Sequence, residues 1–147
     1  MCQSLNALHK IAVAAFVLLS FMFDQGRTHA SGPEAAGDIH RGPCSQMIGD
    51  TEVSLEITPR PVEAMRALYF KVVIRGRPPS QPPFVDLDMP GMFMGPNVVR
   101  LKASSPGTYE GRGFIVRCVS RRRDWRATVC LPGIGKARFF FEVAPKP

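Results

Sequence analysis

The chain has 147 residues, 45% hydrophobic and 21% charged, and 19 Lys and Arg against 12 Asp and Glu give a formal net charge of +7. That length fits one domain with a single core. The positive balance favours anionic partners, such as a membrane surface or an acidic protein, or simply keeps the domain soluble.

Met1 to Ala30 reads as a secretory signal. A polar start ends at Lys10, an apolar run covers Ile11 to Phe23, and Thr28-His29-Ala30 offers the small residues a signal peptidase inspects. As a helix the run would cover about 20 Å of a hydrocarbon layer of roughly 30 Å, too little for a comfortable span. An uncleaved N-terminal membrane anchor is the alternative. Either way the expected location is periplasmic or otherwise extracytoplasmic.

Residues 31–49, rich in Gly, Pro and Ala, read as a tether carrying His40 and Cys44, and the domain is expected over residues 50–147. From Thr51 the period turns to two: Val53, Leu55 and Ile57 face one way, Glu52, Ser54 and Glu56 the other. Leu68 to Ile74 is a second strand, rich in β-branched and aromatic residues. A stiff, Pro-rich connection follows over Arg75 to Pro83. Phe84 to Asp88 and Val98 to Lys102 flank a methionine loop. A segment from Tyr109 continues past Gly111 and Gly113, which mark a bulge or a close backbone approach, into Phe114 to Ser120. Trp125 to Leu131 and Ala137 to Val143 complete the set. About seven strands and no good amphipathic helix predict an all-β, immunoglobulin-like antiparallel β-sandwich.

Cys2 would leave with the signal, so Cys44, Cys118 and Cys130 remain. In an oxidising compartment an odd count implies one disulfide and one further thiol. If Arg121 to Asp124 is a hairpin turn with Ser120 facing Trp125, then Phe114, Val116, Cys118, Trp125, Ala127 and Val129 share the core face and Cys130 lies opposite. Cys118 and Cys130 could not then bridge, which leaves Cys44–Cys118 as the expected disulfide. Three reduced thiols is the other reading, and a one-residue shift in the turn would make Cys130 the inward thiol.

The order of Cys44, Thr58-Pro59, Met89-Pro90-Gly91-Met92-Phe93-Met94-Gly95, Gly107-Thr108-Tyr109-Glu110-Gly111, Arg117-Cys118 and Asp124-Trp125-Arg126-Ala127 resembles the YtkA-like domain, a family related to FixH. The resemblance covers about residues 43–143. It implies an exported β-sandwich associated with copper handling and cytochrome oxidase assembly.

Three of the chain's seven methionines, Met89, Met92 and Met94, crowd into one loop. Thioethers are soft, uncharged ligands suited to Cu(I), and Met is equally a gap filler or an adaptable contact surface. The loop is therefore a Cu(I) contact, a structural closure or a partner-recognition site. Asp86 and Asp88 flank it on the face away from Leu87, and Met47 or His40 would complete a site if the tether folded across it. Arg117, Arg121, Arg122, Arg123 and Arg126 make a basic patch that reads by default as a solvated hairpin end and could alternatively meet anionic lipid or an acidic envelope or membrane protein partner. Nucleic acid is disfavoured by export and by the lack of aromatics in that loop. No nucleophile–base pairing, phosphate loop or zinc spacing is present, so the chain reads as non-enzymatic. The expected function is a Cu(I)-binding or relaying module, the alternative a structural domain docking on a membrane or envelope complex.

Overall fold

Alternation of apolar and polar residues builds strands wherever a sheet has one face on a core, and that pattern dominates this chain. The structure, a computed structural model, describes residues 37–145. The signal or anchor expected over residues 1–30 lies outside them. Nine strands follow in order: β1 (Cys44–Ile48), β2 (Thr51–Thr58), β3 (Leu68–Arg75), β4 (Phe84–Asp88), β5 (Val98–Arg100), β6 (Lys102–Ser105), β7 (Thr108–Gly113), β8 (Asp124–Leu131) and β9 (Gly135–Glu142). They form two antiparallel sheets, β1-β2-β3-β7-β6 and β5-β4-β8-β9, with no helix among the described residues. The fold is the immunoglobulin-like β-sandwich read from the sequence.

The core comes from the inward positions of both sheets. On the first, Val53, Leu55 and Ile57 of β2 stand opposite Ile74, Val72 and Phe70 of β3. On the second, Trp125, Ala127 and Val129 of β8 stand opposite Phe141, Phe139 and Ala137 of β9, so large faces small at two of the three steps. All twelve are buried. The chain divides by its contacts into residues 1–31 and 32–147, and the whole core, from Ile39 to Val143, belongs to the second. The core of the described residues thus lies within one compact unit.

Three differences from the sequence reading matter. β1 lies inside the stretch read as a tether, paired with β2 from Cys44↔Leu55 to Ile48↔Thr51. Gly49-Asp50 is its two-residue hairpin turn, with Gly49 at φ 55°. Second, Val98 to Lys102 is not one strand. The chain leaves the second sheet after Arg100, turns on the buried Leu101 and enters the first sheet as β6. Corners of this kind need a close backbone approach, and Gly111 and Gly113 of β7 provide it. A Cβ on Gly111 would stand 2.4 Å from the Arg100 carbonyl oxygen, and one on Gly113 would stand 2.4 Å from Val99 Cγ2. Third, β7 ends at Gly113, and residues 114–123 form no strand.

The segment before β1 is pinned by His40. Its Nδ1 accepts the Val62 N–H at 3.2 Å, so its proton sits on Nε2, which donates to the Glu142 carbonyl at 2.6 Å. Gly111→Ala is expected to lower the unfolding free energy by about 1–3 kcal/mol through overpacking. Gly42→Ala, with nothing within 4 Å of the new methyl, should stay within about 0.5 kcal/mol of the parent. Urea unfolding of residues 32–147 measures both; equal midpoints for the two variants would contradict the corner argument.

Candidate functional site

The methionine loop begins where β4 leaves the second sheet. Alternation along β4 sends Val85 and Leu87 into the core and continues to Met89, which is 1% exposed. Pro90 and Gly91 then reverse the chain. The Met92 N–H donates to the Met89 carbonyl at 3.0 Å, and Gly91 sits at φ 76°, the geometry of a type II turn with proline first and glycine second. Met89 and Met92 face each other as an antiparallel bridge, which sets both side chains on one face. Met92 packs half-buried against the core, Phe93 points out at 96% exposure, and Met94 turns back half-buried.

Opposite this loop runs the segment that joins β7 to β8. Those strands belong to different sheets, so residues 114–123 cross the end of the sandwich from one to the other. Asn97 of the methionine loop donates from Nδ2 to the Phe114 carbonyl at 3.2 Å, and Arg122 Nη2 donates to the Pro90 carbonyl at 2.9 Å. Between these ties, Cys118 Sγ lies 3.4 Å from Met92 Sδ and 2.9 Å from Ser120 Oγ. A thioether carries no proton, so the thiol must be the donor to Met92, and the Ser120 hydroxyl must donate to the thiol in turn. Two loops from different parts of the chain thus meet in a sulfur–sulfur contact.

The surroundings favour charge on this sulfur. Hydrogen bonds from the Ser120 hydroxyl and backbone lower the Cys118 thiol below its usual pKa, against desolvation, with help from the Arg122 cation and backbone N–H. Arg121, between these two amides, has a left-handed backbone at φ 59°. Burial does the opposite elsewhere, pushing the Cys44 and Cys130 thiols up. Thiolate is both the nucleophilic and the metal-binding form of cysteine. Among the described residues no group of three or more His, Cys, Asp or Glu side chains is placed to hold a metal.

The expected site residues land in different places. Met92 is at the centre, Met89 lies beneath it in the core, and Met94 returns to the core two residues on. Asp88 is committed to a fork with Arg126, Nε to Oδ1 at 2.8 Å and Nη2 to Oδ2 at 2.5 Å, across the β4–β8 pair. His40 has both ring nitrogens engaged by backbone and is not part of the site. The expected Cys44–Cys118 disulfide is absent: Cys44, Cys118 and Cys130 are all free thiols. That pairing followed from a β-hairpin between 114–120 and β8, whereas β8 pairs with β4 and β9. Ile115, not Phe114, is the buried residue there, with Phe114 54% exposed.

The arginines divide by partner. Arg122 is bound to Asp124, whose carboxyl it holds below the usual range, and Arg123 Nη2 meets Glu142 Oε2 at 3.1 Å. Beside Cys118 lies a groove of about 700 Å³, lined by Arg117, Arg121 and other arginines over an apolar floor that includes Trp125 and Val143. Comparison with family models, with curated proteins and with solved structures returns no match.

The lowered Cys118 pKa carries a sign that can be measured. Its thiolate should form at lower pH than an ordinary cysteine, and Cys44 and Cys130 should ionise above one. Titration of thiolate absorbance, with Cys118→Ser as reference, should lose its lowest-pH step in that variant. The lowest step persisting in Cys118→Ser would contradict this geometry. By linkage, the stabilisation from the lowered pKa is present above the unfolded thiol's pKa and is lost as pH falls through the lowered, folded value.

Proposed function

We propose that this chain is an exported, non-enzymatic β-sandwich module that binds Cu(I) at one end of the sandwich through sulfur. The carrying observation is the 3.4 Å contact between Cys118 Sγ and Met92 Sδ. A thiolate and a thioether are the donors that select Cu(I) over harder cations. The residues fit such an ion in two further respects. Cys118 is stabilised in its charged form, and Met92 has three rotatable bonds with which to open the pair around a metal. Met89, bridged to Met92 across the turn, would be the third donor. The resemblance of the loop to YtkA-like domains points the same way, as does the apolar run near the N-terminus, which would direct the chain out of the cytoplasm.

Cys118 thus takes the anchoring role in this proposal, with Met92 as its partner, in place of a site made of thioethers alone. A protonated thiol is a poor ligand, so protons compete with the metal. Affinity should fall as pH drops below the thiol's pKa, by about tenfold per unit if one proton is displaced per ion.

The test is anaerobic titration of residues 32–147 with Cu(I) against a chromophoric competitor. Cys118→Ser should cost more than the roughly 10–100-fold that losing an outer-shell partner costs, and Met92→Leu at least about tenfold. Met47→Leu, at a residue 51% exposed on β1, should change nothing. Binding unchanged in both Cys118→Ser and Met92→Leu would overturn the reading.

A further inference from the structure

The same end of the sandwich carries a second feature, independent of the sulfur contact's chemistry. Phe93 is 96% exposed and Val119 is 99% exposed, which makes them the barest large apolar side chains among the described residues. They stand on separate loops, yet each is the immediate neighbour of one member of the Met92–Cys118 contact, so both project from one small region. Met65, 65% exposed on the rim of the adjoining groove, adds a third apolar group. No described residue covers Phe93 or Val119.

Charge surrounds them. Arg117 and Arg121 line the groove, and no hydrogen bond or ion pair to either guanidinium is found among the described residues. The acidic groups facing this end are committed: Glu63 to Arg66, Asp124 to Arg122 and Glu142 to Arg123. After these pairings the region keeps the uncompensated charge of Arg117 and Arg121. Apolar tips ringed by arginine are the pattern of a surface that lies on an anionic bilayer. The tips enter the acyl boundary, and the guanidiniums stay at headgroup level and meet phosphate. A protein partner would need a matching pocket for each isolated protrusion. A fluid bilayer needs none.

We propose that this end of the sandwich docks on anionic phospholipid membranes, with Phe93 and Val119 inserting and Arg117 and Arg121 binding headgroup phosphates. The sulfur contact and the Arg122–Pro90 bond hold the two loops in register, so that both tips meet the same surface. The docking does not require a bound metal.

The experiment is co-sedimentation of metal-free residues 32–147 with vesicles of phosphatidylcholine alone or mixed with phosphatidylglycerol. Binding to the mixed vesicles should be at least tenfold tighter than to phosphatidylcholine and should weaken as salt rises. Phe93→Ser with Val119→Ser, and separately Arg117→Glu with Arg121→Glu, should each reduce it at least tenfold. All four positions are exposed, and urea midpoints should stay at the parent value. Equal binding to both vesicle types, or binding to neither, would overturn the proposal. So would full binding by the Phe93→Ser, Val119→Ser variant, because charge alone would then explain the affinity. Tight binding to soluble polyglutamate, lost with the arginine changes and indifferent to Phe93 and Val119, would assign the surface to an acidic protein instead.

Discussion

β7 and β8 are consecutive strands in different sheets, and the candidate site at one end of the molecule depends on that constraint. The ten residues between them cannot be hairpin arms. They must carry the chain across the open end of the sandwich, past the point where β4 delivers the methionine loop. Backbone groups along such a crossing find no ladder and must be satisfied individually. The Ile115 carbonyl takes the Met65 N–H at 2.7 Å, the Phe114 carbonyl takes Asn97, and the Cys118 carbonyl takes the Arg121 N–H at 3.2 Å. The turn that this last bond closes holds Cys118 against Met92. The crossing is itself set by the corner at Leu101, where β5 gives way to β6 and the glycines of β7 admit the approach.

Much of the fold was legible because period-two burial is a strong signal. β2, β3, β4, β8 and β9 each alternate inward apolar and outward residues for most of their length, and each was expected near its observed bounds. β1 was not, because Cys-Ser-Gln-Met-Ile has no clean alternation; its only local mark was the Gly49-Asp50 turn. The glycines of β7 were read as a close approach, and the structure shows what approaches them. What one sequence could not supply was sheet membership. Val98 to Lys102 and Tyr109 to Ser120 each read as continuous because a strand that changes sheet and a strand that ends both keep β-branched residues in local order.

The candidate site was half legible for the same reason. The methionine cluster is visible in any reading of the chain, and the type II turn follows from Pro90-Gly91. Cys118 stands out in the sequence, but a hairpin over Arg121 to Asp124 would direct it toward Cys44, and no such hairpin forms. The signals that favoured its present place were Ser120 two residues on, able to bond its sulfur, and an arginine run better suited to a long solvated loop than to a tight turn. Burial separates the methionines in a way spacing cannot: Met89 continues the inward face of β4, and Phe93 between Met92 and Met94 is thrown outward.

The proposed site requires Cys118 and Met92 to act together on a soft metal ion. Anomalous scattering from crystals of residues 32–147 loaded with one equivalent of Cu(I) tests it most directly. A single peak within bonding distance of both Cys118 Sγ and Met92 Sδ is the expected result. A peak bound elsewhere, or no ordered copper at that end of the sandwich, would contradict it.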